Sequence, residues 1–165
     1  MEKINKGTYL KIPTFDELKY TKALYECEKT MSFNQKWGGI VPFPEDKWQD
    51  FFEMYIGDKK KHIYFHIYNL DHVVVGEVSG RIDQDPETLI LNIKVKYEYR
   101  GNNHAKEALE LFLDYVFNYL PVQRVIDDVA SDNIHAINFL EKFGFSVINH
   151  TSEIVLLELH KKDYF

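Results

Sequence analysis

Val95-Lys96-Tyr97-Glu98-Tyr99-Arg100-Gly101-Asn102-Asn103-His104-Ala105 is the stretch that decides the architecture of this chain. Leu89 to Val95, leading into it, reads as a strand, with apolar residues at alternate positions. The segment that follows, Ala105 to Leu120, is apolar at Ala105, Ala108, Leu109, Leu111, Phe112, Tyr115, Val116 and Tyr119, which is the spacing of a helix face. Pro121 stops that helix, and Arg124 to Ala130 reads as a strand again. A strand, a helix and a second strand in that order demand a parallel or near-parallel pair with the helix as crossover. The turn at Arg100 and Gly101 also gathers backbone N–H groups at the positive end of the helix dipole, a setting for phosphate or pyrophosphate. An ordinary strand-to-helix turn has the same local pattern. The spacing excludes both the Gly-Lys-Ser/Thr of a P-loop and the Gly-x-Gly-x-x-Gly dinucleotide fingerprint.

Upstream, Tyr9 to Ile12 reads as a short strand. Thr14-Phe15-Asp16-Glu17 is a capping box that opens a helix predicted to run to about Thr30. Met31 to Pro44 holds Phe33, Trp37, the Gly38-Gly39 pair, Phe43 and two prolines, a loop too apolar to be fully solvated. A second helix is predicted from Glu45 to Ile56, with Trp48, Phe51, Phe52, Tyr55 and Ile56 on one stripe and Gly57 ending it. The period then changes to two. His62 to Tyr68, His72 to Ile82 and Leu89 to Val95 form an antiparallel meander, with a bulge expected near Gly76 or Gly80. Downstream, Ser131-Asp132 caps a helix from Asn133 to Phe143 that Gly144 closes. Phe145 to His150 and Glu153 to Leu159 are the last strands. The class is α+β: a mixed, mostly antiparallel central sheet with helices packed on its faces.

The chain has 165 residues, enough for one domain over 1–165 with a real core. Its 20 Lys and Arg against 26 Asp and Glu leave a net charge of −6, which argues against a general nucleic-acid binder and suits a cationic small molecule better. The single cysteine, Cys27, excludes an intramolecular disulfide framework and a Cys-based zinc site. His62 and His66 share a strand face but lack companions at metal-ligand spacing, and the expectation is no metal. No apolar run approaches the roughly 20 residues of a membrane span. Met1 to Lys6 lacks the apolar core of a signal peptide, so a soluble cytoplasmic domain without membrane partners is expected.

Glu98-Tyr99-Arg100-Gly101-Asn102-Asn103-His104-Ala105 resembles motif A of the GNAT superfamily, the acetyl-CoA-dependent N-acetyltransferases, whose pattern is Arg/Gln-x-x-Gly-x-Gly/Ala after a strand. Ser131-Asp132-Asn133-Ile134-His135-Ala136-Ile137-Asn138-Phe139-Leu140-Glu141-Lys142-Phe143-Gly144-Phe145 resembles the family's motif B. The two together, in the right order and spacing, are far more specific than either alone. The strong match covers about Leu89 to Phe145, and the N-terminal order of elements also suits a GNAT-like fold. Two positions depart from the pattern. Asn103 stands at a glycine position, and Asn is the non-Gly residue best able to take a positive φ. Leu140 stands where many members carry a tyrosine thought to protonate the departing CoA thiolate.

The resemblance implies acetyl-CoA as co-substrate. Its pantetheine arm would pair with the backbone near Ile93 and Val95, and its pyrophosphate would rest on Gly101, Asn102, Asn103, His104 and Ala105, with Arg100, Lys106 and Asn133 also in the cofactor site. The amine acceptor would sit against Phe33, Trp37, Gly38, Gly39 and Phe43. Three carboxylates compete as general base. Asp128 comes first, because some ribosomal-protein acetyltransferases of the family place an acid there; Asp127, its neighbour in an apolar strand, and Glu77 follow. The reaction implied is acetyl transfer to a primary amine of a small molecule or peptide. A protein N-terminal acetyltransferase and a catalytically weak acyl-CoA-binding or sensing module are the alternatives. The final strand and the many aromatic residues make a homodimer a reasonable expectation.

Overall fold

In chain order the strands are β1 Ile4–Asn5, β2 Thr8–Lys11, β3 His62–Asn69, β4 Val74–Ile82, β5 Thr88–Val95, β6 Arg124–Ala130, β7 Ser146–His150 and β8 Ile154–His160; the helices are α1 Leu18–Tyr25, α2 Trp48–Phe52, α3 His104–Tyr119, α4 Ile134–Phe143 and α5 Lys161–Tyr164. The computed structural model describes residues 4, 5 and 7–165, so the reading of Met1 to Lys6 falls largely outside it. One open sheet runs β1-β2-β3-β4-β5-β6-β8-β7, antiparallel at every junction except β5–β6. This is the predicted α+β sheet with its single parallel crossover through α3.

Alternation along the strands sorts the two faces. Phe65, Ile67, Val78, Leu91, Val125 and Val129 join the buried faces of α3 and α4 in the main core. The opposite face carries Tyr64, packed with Leu18, Phe43, Trp48 and Ile56 beneath α1 and α2. The predicted bulge lies beside Gly76: β3 advances one residue from Ile67 to Tyr68 while β4 advances two, and Val75 is the extra one. Gly76 is required there, since a Cβ would meet the carbonyl oxygen of Lys94 at 2.3 Å.

Several boundaries differ from the reading. The first helix is shorter than Thr14–Thr30. Glu17 reaches back to the Thr14 N–H at 3.0 Å, but no side chain caps the helix start, so residues 14–17 form turns and α1 begins at Leu18. The second helix is one run of three kinds: a 3₁₀ turn at Glu45–Lys47, then α2, then a π turn at Glu53–Gly57. The strand expected from His72 starts at Val74, because His72 sits at φ 61° in a turn. β1 and α5 were not anticipated.

The parallel pair decides the site. β5 and β6 are in register only at Thr88↔Arg124, Leu89↔Val125 and Ile90↔Ile126. Beyond that rung they part, while β5 stays paired with β4 to Val95 and β6 stays paired with β8 to Ala130. The result is a V-shaped gap in the sheet, closed at Ile90 and Ile126.

Candidate active site

The gap opens into a cleft of about 590 Å³ walled by β5, β6, the start of α4 and the loop after α1. Ile93 and Val95 line its β5 side. The Lys96 N–H bonds to the Val75 carbonyl on β4. Strand alternation therefore turns the N–H groups of Ile93 and Val95 away from β4, toward the gap, where an extended arm could pair with them. The Val95 carbonyl already accepts from Arg100 Nε at 3.1 Å.

At the mouth of the V, Gly101 takes φ 83° and Asn103 φ 65°. Asn103 thus adopts the left-handed conformation that glycine would supply. The first backbone bond into α3 is from Glu107 to the Asn103 carbonyl. The N–H groups of 101–106 donate to no protein group among the described residues and lie at the positive end of a 16-residue helix. That donor set fits a pyrophosphate. Arg100 itself is engaged: its Nη2 donates to the Thr30 carbonyl at 2.8 Å, tying the loop after α1 to this turn. Asn133, at the other lip, caps α4 by accepting the Ala136 N–H at 3.3 Å. His104 Nδ1 bonds to Thr8 Oγ1 at 2.9 Å, and Lys106 faces a separate groove shared with Glu110 and Lys142.

The apolar loop divides. Phe33 and Trp37 line the cleft, and Trp37 is 54% exposed. Gly38 and Gly39, at φ 100° and 76°, make the turn that closes the 3₁₀ segment Ser32–Trp37. Phe43 does not reach the cleft: it is 5% exposed and packs against Tyr25, Trp48 and Phe51. The composition of the loop marked it as unusual, but Phe43 belongs to the second core.

The three carboxylates have three environments. Glu77 is fully buried, and both its oxygens are taken: Lys94 Nζ at 2.7 Å, the Tyr25 hydroxyl at 3.0 and 3.2 Å, and the Tyr64 hydroxyl. Burial alone would raise its pKa, but Lys94 and the two tyrosines outweigh burial and hold it below the usual carboxylate range. The network continues through Thr21 Oγ1 to Tyr64 and to His66 Nε2, each at 2.8 Å. Burial drives the His66 pKa down to about 4, so this ring is neutral. Reading the sequence missed Lys94, Tyr25, Tyr64 and Thr21. Register was the missing signal, since His66↔Glu77 and Glu77↔Lys94 are directly opposed across β3, β4 and β5.

Asp127 and Asp128 both line the cleft. Asp127 lies between Val125 and Val129 on the face covered by α3 and α4, whereas Asp128, which is exposed, takes the face of Asn92 and Lys94. Asp127 is half-buried, at the border of the cleft. Burial first, and the Asp128 charge second, push its pKa well above the usual range against a smaller pull from Lys94. Among the described residues there is no cluster of His, Cys, Asp and Glu that could hold a metal ion, and no helix is long and apolar enough to cross a membrane.

A family model described as "Acetyltransferase (GNAT) family" matches residues 21–145. The match spans most of the chain, and the protein belongs to that family. No curated protein matches the sequence. Among solved structures, the spermidine N-acetyltransferase from Vibrio cholerae in complex with CoA and spermine superposes with a TM-score of 0.84 at 19% identity, covering 97% of this chain and 99% of that one. An acetyltransferase (GNAT family) from Bacillus anthracis gives 0.80 at 16%, covering 98% and 99%. FdhC, a nucleotide-linked sugar GNAT, gives 0.74 at 18%, covering 96% and 89%. At such identities the likeness is one of fold, and these proteins are named for different acceptors, spermidine and a nucleotide-linked sugar.

Proposed function

We propose that this protein transfers acetyl from acetyl-CoA to a primary amine. The observation that carries this reading is the V between β5 and β6, with free N–H groups at its mouth and carboxyls at its apex. The N–H groups of 101–106 would hold the pyrophosphate, and those of Val95 and Ile93 would align the pantetheine arm. The Ile93 N–H is the donor positioned for the oxyanion that develops on the acetyl carbonyl. Phe33 and Trp37 wall the acceptor side and exclude water. Asp128, exposed and facing that side, is the base we assign to the amine, in preference to Glu77, whose oxygens are occupied.

The exposed carboxylate of Asp128 in the cleft favours a cationic acceptor, and the spermidine acetyltransferases among the structural neighbours are named for one. Leu140, 1% exposed in the cleft wall, supplies no proton, and this favours a second reading as an acyl-CoA-binding module without turnover. One experiment separates them: acetyl-CoA is screened against a panel of di- and polyamines, amino sugars and N-terminal peptides, with thermal shift and thiol release read together. Release of CoA with an amine supports the enzyme. A thermal shift without release supports the module, and no shift at millimolar acetyl-CoA refutes both. In the enzyme, Asp128→Asn should lower kcat at neutral pH and leave the acetyl-CoA shift intact.

A further inference from the structure

We infer that Asp127 is the general acid that protonates the departing CoA sulfur, the role left open by Leu140. The inference rests on the acetyltransferase reading above and assigns a second carboxyl within the same cleft.

Its position is the first argument. The last paired rung of β5 and β6 is Ile90↔Ile126, so Asp127 is the first residue past the apex of the V. An arm anchored at 101–105 and running down β5 past Val95 and Ile93 brings its far end toward that apex. Val95 to Leu91 spans about 13 Å of strand. Facing matters as well. Asp127 shares the α3/α4 side of the sheet with Leu140, and both line the cleft. The acid therefore lies on the wall where a residue at 140 would act, while Asp128 lies on the acceptor side.

The second argument is that Asp127, an acid in a core-facing row, has no protein partner among the described residues. Among the described residues it has no hydrogen bond or ion pair, and it stands half-buried at the cleft wall between Val125 and Val129. A carboxyl placed there without partners costs stability unless the site uses it. Its burial and the neighbouring Asp128 charge favour the protonated form of Asp127.

The step balances. Asp128 takes a proton from the attacking nitrogen as the C–N bond forms. The C–S bond then breaks with its electron pair on sulfur, and the Asp127 carboxyl gives its proton to that sulfur, leaving amide and free thiol. One carboxyl has gained the proton that the other has lost, and water in the cleft restores the pair.

The test compares acetyl-CoA with acetyl-seleno-CoA, whose more acidic selenol leaves without needing a proton. Asp127→Asn should lose about 10²-fold or more in transfer from acetyl-CoA, the usual scale of general acid catalysis, and only a few-fold from the selenoester. A readout independent of turnover is ultraviolet titration of the thiol of bound CoA, which should ionise at lower pH in Asp127→Asn, because the carboxylate that opposes the thiolate is gone. Equal losses with both donors, no loss with either, or an unmoved thiol titration each overturn the inference while amine acetylation by the native protein stands. Native protein that binds CoA but acetylates no amine overturns the acetyltransferase reading and this assignment with it. If Asp127→Asn does not fold, Asp127→Ala is read in the same way.

Discussion

Glu77→Gln should cost about 3–5 kcal/mol of stability, because it strands a buried ammonium. The Glu77 side chain is fully buried and that of Lys94 is 8% exposed, with Nζ 2.7 Å from Oε1. At an effective dielectric of about 20 the pair attracts by roughly 6 kcal/mol. Desolvation of two ions offsets most of that, so the intact pair is near neutral in net effect, but either ion left alone keeps its desolvation cost. A double-mutant cycle isolates this. Lys94→Met alone should also destabilise. Glu77→Gln with Lys94→Met should recover about 2 kcal/mol or more relative to the sum of the singles. Urea unfolding at pH 7 is the assay. The linkage has a definite sign. The folded pKa of Glu77 lies below its ordinary 4.5, so its contribution is fully present above 4.5 and is lost as pH falls through the folded value. The native protein should therefore lose stability in acid while Glu77→Gln loses less. If Glu77→Gln unfolds at native urea concentrations and abolishes acetyl transfer, the structural account fails and Glu77 is the base.

His66 gives a second pH signature: with a folded pKa of about 4 against 6.5 unfolded, it stays neutral in the fold while the unfolded chain takes up a proton. Stability should therefore drop by about 3 kcal/mol as pH falls from 6.5 to 4, and His66→Gln should flatten that limb in chemical denaturation; an unchanged slope would count against it. Asn103→Val forces a β-branched residue to φ 65°, at a cost of about 1–2 kcal/mol, and should also shrink the thermal shift with acetyl-CoA, whereas Asn103→Gly should preserve it. Trp37→Ala, at a half-exposed position, should cost on the order of 1 kcal/mol rather than the loss of a core tryptophan, and should raise the amine KM; a large drop in the unfolding midpoint would place Trp37 in the core after all.

Periodicity carried most of the architecture. The alternation of Leu89–Val95 and Arg124–Ala130 around one strong helix dictated a parallel crossover, and the structure has that crossover as its single parallel junction. The positive φ of Asn103 was legible because the motif asks for glycine and Asn is the substitute that bends that way most readily. What periodicity could not carry was the rung at which β5 and β6 cease to pair, since that is a matter of long-range register. The same limit hid the Glu77–Lys94 pair, which becomes visible only once β3, β4 and β5 are laid side by side. Local composition likewise treats Trp37 and Phe43 alike, though one lines the cleft and the other lies in a core built by α2. Asp127 shows how the two kinds of information combine. Its place between Val125 and Val129 says from sequence alone that a carboxyl interrupts a core-facing row. Only the structure adds that the row is broken at the apex of the V, on the side where Leu140 has no proton to give. The carboxyl that breaks the apolar pattern and the leucine that breaks the family pattern border one cleft.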